Sequence, residues 1–342
     1  MSNHTPSDLQ RLGEAILTAL GTPADAAAVV IEALVGGNLA GHDSHGMQLL
    51  PYYARSVQNG AVHPAAVPTV VQRNGAMAII DGAWGWGQTA ARLATRTAMD
   101  LAAGNGVGAV TIRNCHHIGR VGEYVEMMAA AGMTGIALCN SGPGTVPHGG
   151  RDKKLGTNPI AWAAPTSDPA QPLLMDIATS AIAAGKVMVA KAKGTHALAP
   201  GLIVDANGDP TTSPDDYFAG GALLPIGAHK GFALGTMMEI LGGALSGGAP
   251  SCLPGYRGGN GPLFVAFNIA AFVPFDGFVQ QVDDFGASIK ATRPAAGVDE
   301  VLLPGEPEAR MRKRRAAEGI PLPDSTWRDL CDLASELGVQ TA

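Results

Sequence analysis

The chain is poor in several things, and each shortage excludes something. Only 15% of its 342 residues are charged, and no long block of like charge occurs; such a chain is neither a disordered tail nor a coiled coil. The net charge of −6 leaves no basic surface for a phosphate backbone. The one basic run, Arg310 to Arg315, is expected to be a solvated helix face. The four cysteines, Cys115, Cys139, Cys252 and Cys331, stand far apart with no CxxC pair. Neither a disulfide framework nor a zinc knuckle is indicated, and a reducing cytoplasm is the expected compartment. No apolar run approaches the roughly 18 residues of a membrane span, and the first ten residues lack the basic start and apolar stretch of a signal peptide.

What is abundant is glycine, 46 residues, with 24 prolines, in a chain long enough for a sizeable core and two units. Apolar spacing at Leu9, Leu12, Ile16 and Leu20 predicts a first helix capped by Ser7 or Asp8. A second runs from Thr22-Pro23 to Gly36-Gly37, and a third from near Ser44 to Gly60. Buried strands are expected at 108–112 and 135–139 with a helix between them, further strands at 159–163, 173–177, 202–204 and 263–272, and helices at 89–103 and 229–245. Residues 206–215 read as a loop. A last helix is expected from Thr326 to Gly338.

The chemistry concentrates in a few places. His42, Asp43, Ser44 and His45 are consecutive. A histidine exchanges protons near neutral pH, and a carboxylate and hydroxyl beside it are suited to orienting the ring. Asp43 or Ser44 also serves as a cap for the third helix, and Gly46 would allow close approach to the backbone. In NCHHIGRVGEY (114–124) two histidines and an arginine stand at a strand-to-helix junction, a place for a phosphate or carboxylate. The long 140–159 loop carries basic residues and ends in Gly156-Thr157-Asn158-Pro159. Residues 176–186 join a strand to a helix. At His229-Lys230 a basic pair opens a helix, where an anion explains it better than the helix dipole. GNGVG (104–108) precedes a strand and lacks the full dinucleotide fingerprint, so no Rossmann site is placed there. A metal site from His42, His45, His116 and His117 would suit zinc or iron, but HExxH is absent and acidic ligands are sparse, so no metal is assigned.

Taken together, DSHG, HHIG, LGTNP, DIATS…GK, HKGFAL and LPGEPE, in this order along nearly the whole chain, resemble the type-2 malate/L-lactate dehydrogenase family. NLAGHDSHG, HHIGRVGE, GRDKKLGTNP, TSAIAAGK and DANGDPTTSP are similar to its bacterial hydroxycarboxylate dehydrogenase branch. The resemblance implies an α/β, non-Rossmann, mixed-sheet fold of the L-sulfolactate dehydrogenase type with helical N- and C-terminal segments. On this basis residues 1–75 with 310–342 form a helical substrate and dimerisation part, and residues 76–309 a cofactor-binding α/β part. It implies NAD- or NADP-dependent interconversion of 2-oxo and 2-hydroxy acids by a homodimer, with neither nucleic acid nor membrane as partner.

Residue by residue, the resemblance makes His45 the proton donor, with Ser44 beside it and His117 as a further catalytic candidate. Cofactor contacts fall on His45, Gly119, Arg120, Val121, Met175, Asp176, Ile177, Ala178, His229, Asn260, Gly305, Glu306, Pro307 and Glu308. One departure stands out: where many members have an arginine five residues after the DSHG serine, expected to clamp the substrate carboxylate, this chain has Leu49. The clamp then falls to Arg120, Arg151, Lys186 or Thr157. Two other readings compete, a metal-assisted lyase or hydrolase using the clustered histidines and a non-catalytic ligand-binding protein of the same fold.

Overall fold

The computed structural model describes residues 2–192 and 194–340. Seven strands form one mixed sheet in the spatial order Thr69–Asn74, Met77–Asp81, Val107–Arg113, Pro262–Asn268, Met133–Cys139, Ile160–Ala164 and Leu173–Ile177. Only the pair Met77–Asp81 and Val107–Arg113 is parallel; every other neighbour is antiparallel. Strand Pro262–Asn268 enters from far along the chain and separates Val107–Arg113 from Met133–Cys139. The helix that links those two strands therefore does not make them neighbours.

Helices Gly87–Asn105 and Gly122–Ala130 cover one face of the sheet. Ala90, Ala91, Ala94 and Ala98 pack on Val110, Ile112, Phe264 and Ala266. Alanines and Gly108 allow this close seat, since a Cβ on Gly108 would stand 2.1 Å from the Ala98 carbonyl oxygen. The opposite face, with Leu138 and Leu263, receives Met238 from the end of helix His229–Met238 and Leu241 from the segment after it.

A second core is helical. Leu9, Ile16 and Leu17 of Pro6–Ala19 meet Val30, Ile31 and Leu34 of Ala24–Leu39, and Leu50 and Tyr53 of Leu50–Gln58. Leu330 and Leu333 of Asp324–Glu336 join them. Antiparallel pairing of Ser2–His4 with Ile320–Leu322 ties the two ends of the chain into this core. A small three-stranded sheet of Ile203–Val204, Pro210–Thr211 and Ala222–Leu223 lies beside helices Ala184–Ala192 and Pro214–Phe218. Among the described residues no helix is long and apolar enough to cross a membrane.

Several expected boundaries move. The first helix is capped by Thr5, whose hydroxyl accepts from the Asp8 amide at 3.1 Å, because Ser7 and Asp8 already lie inside it. Residues 206–215 hold a hairpin and a helix start rather than a plain loop. The helix expected over 229–245 turns π-helical at Glu239–Ala244, the 263–272 strand ends at Asn268, and the last helix begins at Asp324. The basic run belongs to helix Glu306–Glu318, and it is not wholly a solvated face, since Arg315 is buried.

Candidate active site

The DSHG segment is not a helix cap. Asp43–His45 and Met47–Leu49 are two 3-10 turns, and the third helix starts only at Leu50. The reason is Asp43, which faces away from His45. Its carboxylate takes Arg315 at 2.6 and 3.0 Å and the Asn38 amide at 2.7 Å. Asn38 in turn accepts from the Met47 amide at 2.8 Å. Gly46 serves this bracket and not a ligand, because a Cβ there would come within 2.4 Å of the Asn38 side-chain atoms. Asp43 therefore anchors the turn, and it is Ser44 whose hydroxyl reaches His45 Nδ1, at 3.2 Å.

His45 stacks on His117 with ring centroids 5.8 Å apart and planes 13° from parallel. His117 Nδ1 is bonded to the Tyr53 hydroxyl at 2.8 Å, and Gln88 bonds the same hydroxyl at 2.7 Å. Tyr52 stacks on His116, whose buried Nδ1 has no partner among the described residues. His116 is buried and His45 and His117 are half-buried, and the loss of solvent around them holds all three rings neutral at pH 7. It lowers His45 to about 4, against the opposing charge of Asp176; His116 goes to about 4, and His117 to about 3, helped by the neighbouring imidazoles. A neutral imidazole has a free lone pair to accept a proton, though a ring lowered to about 4 is a weaker base than a free one.

The segments assigned to the cofactor meet next to this pair. Asp176, at the end of Leu173–Ile177, accepts from the Gly122 amide at 3.0 Å and from Arg120 at 3.5 Å. The helix N-terminus expected to await an anion is thus occupied by the chain's own carboxylate. Arg120 also binds Glu126, which Arg312 reaches at 2.7 Å. Gly119 adopts φ +77°, and Val121 is buried beside it. Met175 pairs with Trp162 and Ile177 with Ile160 across the sheet, so Ala178 is the first residue beyond the strand.

The 303–308 turn docks on the same strand through the Leu174 amide and Pro304 carbonyl, 3.1 Å apart. Gly305, at φ +95°, fits because a Cβ would stand 2.9 Å from Leu174 Cβ. Glu306 pairs with Lys290, Pro307 lies in the first turn of helix Glu306–Glu318, and Glu308 reaches His42 at 3.4 Å. Asn260 accepts from the Ile118 amide at 3.0 Å and donates to the Asn140 carbonyl at 2.8 Å, which joins it to the double-histidine loop. His229 is exposed at the start of its helix, its ring 6.1 Å from that of His148.

The substrate candidates separate. Thr157 lies beside Ser141, their hydroxyls 3.3 Å apart, and its carbonyl accepts from the Thr179 amide at 2.8 Å. Lys186 is exposed in the first turn of Ala184–Ala192, where a Cβ on Gly185 would meet Ser44 Cβ at 2.3 Å. Arg151 is placed elsewhere, bonded to the Asn207 carbonyl at 3.1 Å on the small sheet. Leu49 packs partly buried against the helical core. Sequence reasoning did not single out Tyr53, Gln88 or Ser141 for the site, and it placed Arg315 on a solvated helix face. A fully buried glutamine inside a helix is the one of these whose residue type alone marks it as unusual.

The family model for malate/L-lactate dehydrogenases matches residues 4–331. The chain belongs to the malate/L-lactate dehydrogenase family. It is 38% identical to L-lactate dehydrogenase of Cupriavidus necator, over 96% of each chain. It is also 38% identical to hydroxycarboxylate dehydrogenase B of Escherichia coli, over 95% of this chain and 92% of that one. Among solved structures, sulfolactate dehydrogenase from Methanocaldococcus jannaschii superposes with a TM-score of 0.90 at 33% identity, covering 99% of this chain and 98% of the other. Membership supports the oxidoreductase reading and the mixed-sheet architecture together.

Proposed function

We propose that the chain interconverts 2-oxo and 2-hydroxy acids with NAD or NADP, and that His45 carries the proton. The observation behind this is the neutral His45 ring, stacked on His117 and bordered by the Asp176–Gly122–Arg120 junction. The segments assigned to a nicotinamide cofactor fit such a group. Residues 119–122, 175–178 and 303–308 are linked by the Asp176–Gly122 and Leu174–Pro304 bonds and residue 260 by its bond to Ile118, and of the glycines among them only Gly119 has open space at its Cβ position, the nearest atom standing 3.5 Å away. Bound there, the nicotinamide would supply or accept the hydride.

The chain's own residues then divide the remaining work. With Ser44 bonded to Nδ1, His45 Nε2 is the atom left to take the hydroxyl proton of a 2-hydroxy acid and to return it in the reverse direction. His117, tethered by Tyr53 and Gln88, holds the His45 ring by stacking and contributes a second polar edge. The substrate carboxylate goes to Lys186 and Thr157. Arg120 is already matched by Asp176 and Glu126, and Arg315 by Asp43, whereas no ion pair engages Lys186 among the described residues. The test is a panel of 2-oxo acids offered with NADH and with NADPH. Nicotinamide-dependent reduction of at least one of them, insensitive to chelator, is expected; chelator-sensitive turnover without nicotinamide would favour the lyase or hydrolase instead, and binding without turnover the non-catalytic reading.

We also propose a homodimer. The apolar stripes of the first and last helices do not argue for it, because they are spent inside the chain's own helical core. One stripe that remains uncovered is Leu234, Met237, Ile240 and Leu245, exposed along the helical segment that begins at His229. A stripe of this kind normally meets a partner, and a twofold pairing is the commonest solution. Light scattering at micromolar concentration is expected to find twice the 34.8 kDa chain mass; an active particle of single-chain mass contradicts it.

A further inference from the structure

Glu239 is 3% exposed and opens the π-helical segment Glu239–Ala244, a local irregularity that tends to mark functional positions. Among the described residues no cation pairs with it. Its charge is met by hydrogen-bond donors instead. Oε1 accepts from the Gly156 amide at 3.2 Å, Asn158 Nδ2 at 2.9 Å and Ser251 Oγ at 2.6 Å. Oε2 accepts from Asn140 Nδ2 at 3.0 Å and the Ser251 amide at 2.7 Å. Burying a carboxylate is costly unless it is satisfied in this way, so the arrangement ties all of these segments to one point.

The tied segments carry the site. Gly156 and Asn158 bracket Thr157, and Asn140 precedes Ser141. The Ser141 amide donates to Asn158 Oδ1 at 3.0 Å, and the Thr157 amide donates to Ser141 Oγ at 3.1 Å. From Asn140 the network continues through Asn260 to the Ile118 amide, directly after His117. Gly242 and Gly243 let the π turn close on Asn140, since a Cβ on either would come within 2.8 Å of an Asn140 nitrogen.

We propose that Glu239 is a positioning residue, whose carboxylate sets the Ser141 and Thr157 hydroxyls side by side to receive, together with Lys186, the substrate carboxylate where Leu49 offers none. This rests on the hydroxyacid dehydrogenase reading. The test is Glu239→Gln. An amide cannot accept at both positions, so either Asn140 Nδ2 and the Ser251 amide, or the donors on Oε1, face an N–H group. The KM for the best 2-oxo acid is expected to rise about ten- to a hundredfold, in the range of unmet buried hydrogen bonds. The kcat and the nicotinamide Kd should each stay within about threefold of wild type. A folded variant with unchanged KM overturns the proposal, as does equal deterioration of all three quantities. If Glu239→Gln does not fold, Ser251→Ala removes one donor to Glu239, along with a weak 3.4 Å bond to the Lys154 carbonyl, and a smaller rise confined to KM is expected; an unchanged KM there overturns it. If the wild type reduces no 2-oxo acid, the dehydrogenase reading fails separately. Hydrogen exchange then decides the positioning claim: faster exchange confined to 140–158 in Glu239→Gln supports it, and uniform or unchanged exchange overturns it.

Discussion

Replacing His45 by alanine is expected to lower kcat by roughly 10²–10⁴-fold, the range for a lost general acid–base group, while nicotinamide binding stays near wild type. Ser44 touches His45 at Nδ1 only, so no neighbour can take over at Nε2 without moving. His117 is the nearest alternative, but its Nδ1 is tied to Tyr53 and its ring is stacked rather than aimed past His45. The fold should survive, because His45 belongs to a short turn held independently by Asp43, Arg315 and Asn38. Steady-state kinetics beside a cofactor titration checks both halves. Near-normal turnover would transfer the proton to His117.

The second large effect is on stability. The lowered pKa values of His45, His116 and His117 mean that the unfolded chain binds more protons than the folded one as pH falls below 6.5. Stability is then fully present above about pH 6.5 and is lost progressively toward pH 4, flattening once the folded rings protonate. With three protons taken up on unfolding, the slope reaches about 4 kcal/mol per pH unit. Glu123, whose burial raises its carboxyl, opposes this by at most one proton. Carboxylates held low, such as Glu308 beside His42, add their loss only below the ordinary carboxylate range. Denaturant titrations from pH 7 to pH 5 measure the slope, and His116→Gln should reduce it by about one proton. Stability that does not change over that interval would show that the rings are not buried as described.

Much of the site was legible because its parts are local. The Ser44–His45 contact spans one residue, and the double histidine stands at a strand-to-helix junction that short-range spacing predicts. Periodicity likewise found the helices of the two cores, whose apolar stripes are continuous. What stayed hidden depends on distant partners. Asp43 looks like a residue that orients His45 until Arg315, 272 positions away, is seen to claim it. Gly46 looks like an opening for a ligand until Asn38 is seen to need the space. Glu239 reads as one more polar residue in a helix, because nothing local signals the donors that gather on it. Helix Phe275–Lys290 was missed although Phe275, Phe278, Val282, Phe285 and Ile289 recur at helical spacing; among the described residues this stripe is not covered, and Gly286 is the one residue of the helix that is buried.

The central claim is that a neutral, half-buried His45 is the proton acceptor of a 2-hydroxyacid dehydrogenase. Its most direct test is the pH dependence of kcat/KM for oxidation of the best 2-hydroxy acid, since that ratio reports groups of the free enzyme. With His45 near 4, the acceptor is unprotonated throughout the neutral range. The ratio is predicted to stay flat from pH 8 to about pH 5 and to fall only as pH approaches 4. In the reductive direction, where the protonated ring is required, it should instead rise about tenfold for each unit by which the pH is lowered over the same range. An oxidative profile that instead drops through pH 6.5, and does so equally in His45→Ala, would contradict the account.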